Sequence, residues 1–349
     1  MRDSGVAQTK RRIAALVICL VGAVGLAGCH GSSEPKTQAA PSPTLTQTLS
    51  PGQPGTYETT GRGPTPPQSG AWLGAYADPY NQTSAQKVSA IESFEHLIGR
   101  NVAIVHSFHP WSDTVPSDFD YQILHNGQID LLSWAGTDTI SIASGVYDPQ
   151  IKRVADALRD MGGPILLRFR WEMDRPNLAA VVHSPAAYIT AWKHVRAIFT
   201  AERATNVGFV WCPLATGFAT GVAQQYYPGD DQVDWLCTDV YPGDAMTSFS
   251  QLMAPVMQFA SQHERPLLIG EFGVEAQPNG ARASWFTAMA ADLKQQPQIK
   301  AIVYFSENKR SKPIRDYTLD GQPGDLGAFK KIADDPYFQA PVDWPSTGG

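Results

Sequence analysis

Two stretches decide the fold: Pro164-Ile-Leu-Leu-Arg-Phe-Arg-Trp-Glu-Met-Asp174 and Pro266-Leu-Leu-Ile-Gly-Glu-Phe-Gly273. Each begins with proline, continues as a short apolar run and carries a glutamate towards its end, Glu172 in one and Glu271 in the other. Runs of Ile, Leu and Phe read as strands buried on both faces, the habit of parallel sheets covered by helices. A carboxylate placed where such a strand ends faces the ligand crevice of an α/β sheet, open or closed.

Working outward, six more runs read as strands: Trp72–Asp78, Asn101–Phe108, Ile129–Ala135, Val207–Cys212, Val233–Val240 and Ile299–Phe305. Helical patterns separate them. Ser84 to Ile98 is amphipathic, with Gly99 as its C-cap. Pro116 to Asn126 is a weaker helix. Asp148 to Met161 sets Ile151, Val154, Ala155, Leu158 and Met161 on one face, and Gly162-Gly163 stops it. Pro185 to Glu202 carries a stripe of Tyr188, Ala191, Trp192, Val195 and Phe199. Phe249–Gln262, Arg282–Gln295 and Leu326–Ala333 complete the alternation. Strands alternating with helices predict a parallel sheet with right-handed crossovers, and eight is the number that closes a (β/α)8 TIM barrel. We therefore expect one α/β catalytic domain over residues 70–349.

The N-terminal part reads differently. Lys10-Arg11-Arg12 precedes an apolar run from Ile13 to Leu26, too short for a comfortable membrane span. Leu26-Ala27-Gly28-Cys29 follows and resembles a bacterial lipobox. Residues 1–28 are thus expected to be a lipoprotein-type signal peptide, Cys29 the lipidated residue, and the location the outer face of the cell membrane. Residues 29–69 are rich in Pro, Ser, Thr, Gly and Gln and poor in large apolar side chains. They are expected to form a disordered tether. The net charge of −6 is spread without long runs, which gives no reason to expect nucleic acid as a partner. Nothing asks for an oligomer, and a monomer is expected. Of the four cysteines, Cys212 and Cys237 fall in the mature domain. They are either a disulfide or two buried thiols. No Cys-His cluster has zinc spacing and no phosphate loop is present, so neither metal nor cofactor is expected.

Two carboxyl groups on facing strands suit cleavage of a glycosidic bond. With retention of configuration they stand roughly 5–5.5 Å apart, one protonated and one ionised. Trp171 could desolvate Glu172, and Arg168 and Tyr241 could donate hydrogen bonds that keep Glu271 ionised. Aromatic platforms near strand ends suit sugar rings. Tyr76, Trp111 (in a loop) and Trp134 are among the candidates of this kind, while His106 and His109 could bind hydroxyls or be structural.

The order Ser133-Trp134, Ile142 to Asp148, Arg168-Phe-Arg-Trp-Glu172-Met-Asp174, Ser184-Pro185 to Tyr188, Asp239-Val-Tyr241, Gly270-Glu271-Phe-Gly273 and Tyr304-Phe305 resembles glycoside hydrolase family 26. The resemblance implies a barrel of the large retaining clan, Glu172 as general acid/base, Glu271 as nucleophile, Tyr241 orienting the nucleophile and Arg168 beneath the site. It implies a β-linked polysaccharide substrate, with β-1,4-mannan first and mixed-linkage β-glucan or β-1,3-xylan as alternatives. The chain departs from the family in having Trp171 where a His usually precedes the acid/base, and Asp174-Arg175-Pro176 where Asn-Gly usually follows. Phe305 and Tyr317 are then expected to act as stacking surfaces in place of a missing Trp. The altered surroundings of Glu172 also leave open a carbohydrate-binding protein without turnover.

Overall fold

A computed structural model describes residues 61–79, 81–309, 315–321 and 323–344. The expected signal segment, Cys29 and the tether as far as residue 60 lie outside the described residues. The first half runs β1 (Trp72–Ala77), α1 (Ser84–Ile98), β2 (Ile104–His109), α2 (Asp118–His125), β3 (Ile129–Trp134), α3 (Thr139–Ala143), α4 (Asp148–Met161) and β4 (Ile165–Phe169). The chain continues through α5 (Ala179–Val182), α6 (Pro185–Ala201), β5 (Val207–Trp211), α7 (Ala215–Thr220), β6 (Trp235–Val240) and α8 (Phe249–Ala260). It ends with β7 (Leu267–Phe272), α9 (Ala281–Leu293), β8 (Ile299–Ser306), the short β9 (Asn308–Lys309) and β10 (Arg315–Asp316), and α10 (Pro323–Ala333). Strands β1 to β8 pair in sequence order, all parallel, and β8 returns to β1, so the sheet closes as the expected (β/α)8 barrel.

The helices form where the caps and stripes place them. Thr83 accepts a hydrogen bond from the Gln86 amide at the start of α1, and Gly99 ends that helix at φ 89°. Gly162 ends α4 at φ 70°, and Ile151, Val154, Ala155 and Leu158 are buried against the barrel. In α6 the entire predicted stripe is fully buried. Helices α3, α5 and α7 have five, four and six residues and were not foreseen.

Strand alternation divides the core in two. Ile129, Leu131, Leu166, Trp235, Cys237 and Leu268 pack together inside the barrel. Their neighbours Leu132, Trp134, Leu167, Phe169 and Phe209 face outward and join the larger core under the helices. Cys212 and Cys237 are joined by a disulfide that links the end of β5 to β6 in the barrel interior.

One boundary differs from expectation. Residues 61–69 are packed against the barrel rather than free. The Gly63 amide donates to the Thr205 carbonyl at 2.8 Å, and Arg62 reaches the carbonyl of Ala204 and the hydroxyl of Thr200. A Cβ on Gly63 would lie 2.5 Å from the Gly208 amide nitrogen, so only glycine permits this approach. Polar composition hid the segment's role because its attachment is made largely by backbone groups and one arginine, with Pro64 the buried residue among them.

Candidate active site

Strand β4 brings Arg168 inward, fully buried, and the chain then turns sharply. Arg170 and Glu172 both adopt φ 49°, a left-handed conformation that side-chain-bearing residues rarely take. Two backbone hydrogen bonds hold the turn. The Arg170 amide donates to the Trp134 carbonyl at 2.9 Å, and the Glu172 amide donates to the Cys212 carbonyl at 2.7 Å. The Glu172 side chain is thereby presented at the mouth of the barrel.

Glu271 arrives there by a different device. Along β6 and β7, Cys237 pairs with Leu268 and Thr238 with Ile269, but Asp239 pairs with Glu271. One residue, Gly270, is extra on β7. This bulge resets the alternation so that Glu271, like Gly270 before it, faces into the barrel. A Cβ at Gly270 would meet Cys237 Sγ at 2.6 Å and Asp239 Oδ1 at 2.9 Å. The glycine is required by the close approach of the disulfide and Asp239.

One carboxylate oxygen from each of Glu172, Asp239 and Glu271 lies within 4.8 Å of the others. Three acids at this spacing could hold a cation, and a cation of the protein's own already binds two of them. Arg168 Nη1 donates to Glu271 Oε1 at 3.0 Å, and its Nη2 donates to Asp239 Oδ2 at 2.7 Å. The Tyr241 hydroxyl donates to the other Glu271 oxygen at 2.7 Å. Glu271 therefore accepts hydrogen bonds at both oxygens. Glu172 has a different environment. Burial raises its pKa and the nearby charge of Glu271 raises it further, while the guanidiniums of Arg175 and Arg168 pull it down; the net shift is upward. Burial opposes the charge on Arg168, but Asp239, Glu271 and Glu172 outweigh it and raise its pKa.

Beneath Arg168 lies His106, almost fully buried. Arg168 can only donate, so His106 Nε2 accepts from it at 3.3 Å and contacts Ser133 Oγ at 2.7 Å. Burial, and then the charge of Arg168, push the imidazole pKa well down, so it is neutral. His106 supports the arginine from one layer below the carboxylates.

Around the mouth runs a collar of aromatic rings. Trp171 meets Phe108 edge-on at 5.3 Å, and Phe108 meets Tyr76 at 5.1 Å. Tyr76 stacks on Phe305 at 4.9 Å, Phe305 stands 6.2 Å from Tyr241, and Tyr241 stands 5.4 Å from Tyr317. Trp171, Tyr76, Phe108, Tyr241 and Tyr317 are half-buried. The structure thus brings together Glu172, Glu271, Arg168, Tyr241, Trp171, His106 and Phe305.

Three expected binding residues are elsewhere. His109 is buried on the outer side of β2 and bonds Asp120 of α2 at 3.0 Å. Trp134 is fully buried and stacks on Trp111 at 4.2 Å. The ring neighbours of Trp111 among the described residues are Trp134, Tyr147 and Phe169, none of which belongs to the collar. The reason is strand alternation: His106 and Ser133 point into the barrel, so His109 and Trp134, at odd offsets from them, point out. The same alternation picks out Tyr76, an expected platform, and Phe108, which sequence reasoning did not assign to the site. Asp239 was expected only as a hydrogen-bonding support, and its ion pair with Arg168 fits that role.

No protein-family model matches the chain. Endoglucanase H of Acetivibrio thermocellus is 28% identical over 288 residues, 75% of this chain and 30% of that protein. Beta-1,3-xylanase TXYA of a Vibrio species is 29% identical over 138 residues, 38% of this chain and 28% of that protein. The chain spans less than a third of the length of these curated relatives. Among solved structures, a GH26 beta-mannanase from Bacteroides ovatus superposes with a TM-score of 0.58 at 16% identity, over 80% of this chain and 95% of that one. The catalytic domain of a GH26 endo-beta-1,4-mannanase from Bacillus sp. JAMB-750 gives 0.61 at 13% identity, over 79% and 89%. The chain shares the (β/α)8 barrel fold of these two mannanases.

Proposed function

We propose that this protein is a retaining glycoside hydrolase that cleaves β-linked polysaccharide by double displacement. The observation that supports this most is the pair Glu172 and Glu271, with oxygens within 4.8 Å and different environments. That spacing is close to the roughly 5 Å used for retention and falls short of the roughly 6.5–9.5 Å at which an inverting pair admits a water beside the sugar. Glu271, positioned by hydrogen bonds from Arg168 and Tyr241, attacks the anomeric carbon. Glu172, whose proton affinity is raised, gives its proton to the departing glycosidic oxygen. In the second step Glu172 takes a proton from water, which attacks the anomeric carbon and releases Glu271. The aromatic collar supplies platforms for the faces of the sugar rings.

For the glycan, internal cleavage of β-1,4-mannan is the first reading, resting on the family resemblance. A second reading, mixed-linkage β-glucan, is favoured by Trp171 in the place of the family His and by the likeness to a protein named an endoglucanase. Incubation with mannan, glucomannan, mixed-linkage β-glucan and β-1,3-xylan, with products read by mass spectrometry, separates these. Binding of a glycan without release of any product would leave a binding protein instead. We further propose that Cys29 anchors the protein to the outer face of the membrane. Cys29→Ser is then expected to release it from the membrane fraction, and unchanged membrane association would discard the anchor.

A further inference from the structure

Arg175 is a partly exposed cation hydrogen-bonded to the buried Glu172. Its Nη1 donates to Glu172 Oε2 at 2.5 Å. The backbone fixes its position: the Arg175 amide donates to the Glu172 carbonyl at 3.0 Å, and the Leu178 amide donates to the Arg175 carbonyl at 3.0 Å. Neighbouring Asp174 turns away and accepts from the Leu214 amide at 3.1 Å, pinning the same loop to the start of α7. The Arg175 side chain remains 44% exposed, whereas that of Glu172 is 9% exposed.

The charged and titratable groups facing Glu172 come from four places. Glu271 of β7, Asp239 of β6 and Tyr241 after β6 stand on one side, and Arg168 of β4 lies below. Arg168 is already engaged by Glu271 and Asp239. Arg175 is the cation whose hydrogen bond goes to Glu172 itself.

We propose that Arg175 is a positioning residue that holds Glu172 as a carboxylate for the second half of the reaction. This rests on the hydrolase reading above. After the first step Glu172 has lost its proton to the leaving group, and the sugar is bound to Glu271 as an ester. Neutralising Glu271 in that ester removes the charge next to Glu172. Arg175 then stabilises the Glu172 carboxylate in the orientation that accepts a proton from water. The water oxygen bonds to the anomeric carbon, the bond to Glu271 breaks, and Glu271 leaves as a carboxylate. Glu172 ends the cycle protonated, ready for the next substrate. The same ion pair opposes protonation in the first half, so Arg175 trades speed in one step for speed in the other.

Arg175→Gln and Arg175→Lys test this. The titration of Glu172 is followed directly by 13C NMR on protein labelled at glutamate carboxyls, with Glu172→Gln assigning the signal. In Arg175→Gln the signal should titrate at higher pH than in the wild type, and in Arg175→Lys near the wild-type position. An unmoved titration in Arg175→Gln overturns the proposal. On a dinitrophenyl β-glycoside, whose leaving group needs no proton, Arg175→Gln should lower kcat and KM together, each about tenfold, the rate equivalent of one charge-assisted hydrogen bond. The ratio kcat/KM should hold, because the first step is spared. Arg175→Lys should recover most of kcat. A fall in kcat/KM with KM unchanged, or equal damage in both variants, overturns the assignment and leaves Arg175 a structural tie. A wild type inert on every glycan and aryl glycoside sinks the hydrolase reading, and with it the catalytic use of the pair. The NMR titration still decides whether Arg175 controls the protonation of Glu172.

Discussion

At the scale of single residues, the proposed activity depends on two carboxyl groups set in different surroundings. Glu271 accepts from Arg168 and Tyr241, and Glu172 is buried beside a like charge. Glu271→Ala should therefore lose activity on every substrate by at least a thousandfold while still binding glycan, as measured by kcat and by affinity electrophoresis. Glu172→Ala should lose roughly 10²–10⁴-fold on glycans but little in the first step with dinitrophenyl glycosides. The sign of the pH effect follows. The acid works only when protonated, so kcat/KM falls as pH rises through the pKa of Glu172. Because that pKa is raised, activity should persist to higher pH than an ordinary glutamate allows, and the alkaline limb should vanish in Glu172→Ala assayed with the aryl substrate. Tyr241→Phe removes one donor from Glu271. It should cost about 10- to 100-fold in kcat, the worth of a hydrogen bond to a charged group, with the fold unchanged by circular dichroism. An unaltered kcat would remove Tyr241 from the mechanism.

At the scale of elements, the strands and the long helices were legible because each carries its own period. The stripes of α4 and α6 and the apolar runs ending at Glu172 and Glu271 needed no distant information. The inward or outward side of each side chain was also readable from alternation along β2 and β3, and it would have kept His109 and Trp134 out of the site. Glu271 resists that reading. Leu268 faces inward, so strict alternation sends Glu271 outward, and only the bulge at Gly270 reverses it. The ladder shift depends on how β6 and β7 pair, which no local stretch of sequence specifies; a glycine in a strand interior is the single hint. Helices α3, α5 and α7 complete too few turns to show a period. Gly270→Ala should destabilise the fold by about 1–3 kcal/mol through overpacking against the disulfide and Asp239. It should also cost activity beyond that loss, because Glu271 is carried by the same bulge. Denaturant melts and kcat on the folded fraction separate the two effects, and a variant with wild-type stability would contradict the packing argument.

At the scale of the whole molecule, the barrel places residues nearly a hundred positions apart within one cleft and encloses the support they need. The disulfide between Cys212 and Cys237, 25 residues apart, lies inside the barrel under Asp239. Closing a loop of that length stabilises a domain by roughly 3 kcal/mol. Replacing both cysteines by alanine should lower the unfolding free energy by about that much in urea, and equal stability with and without reductant would show that the bridge does not form. The central claim is that Glu172 and Glu271 act on one sugar as an acid and a nucleophile. The most direct test is the configuration of the first-formed product, followed by 1H NMR during hydrolysis of a β-linked oligosaccharide. The β-anomer should appear first and mutarotate slowly to the equilibrium mixture. Initial appearance of the α-anomer would contradict double displacement through Glu271.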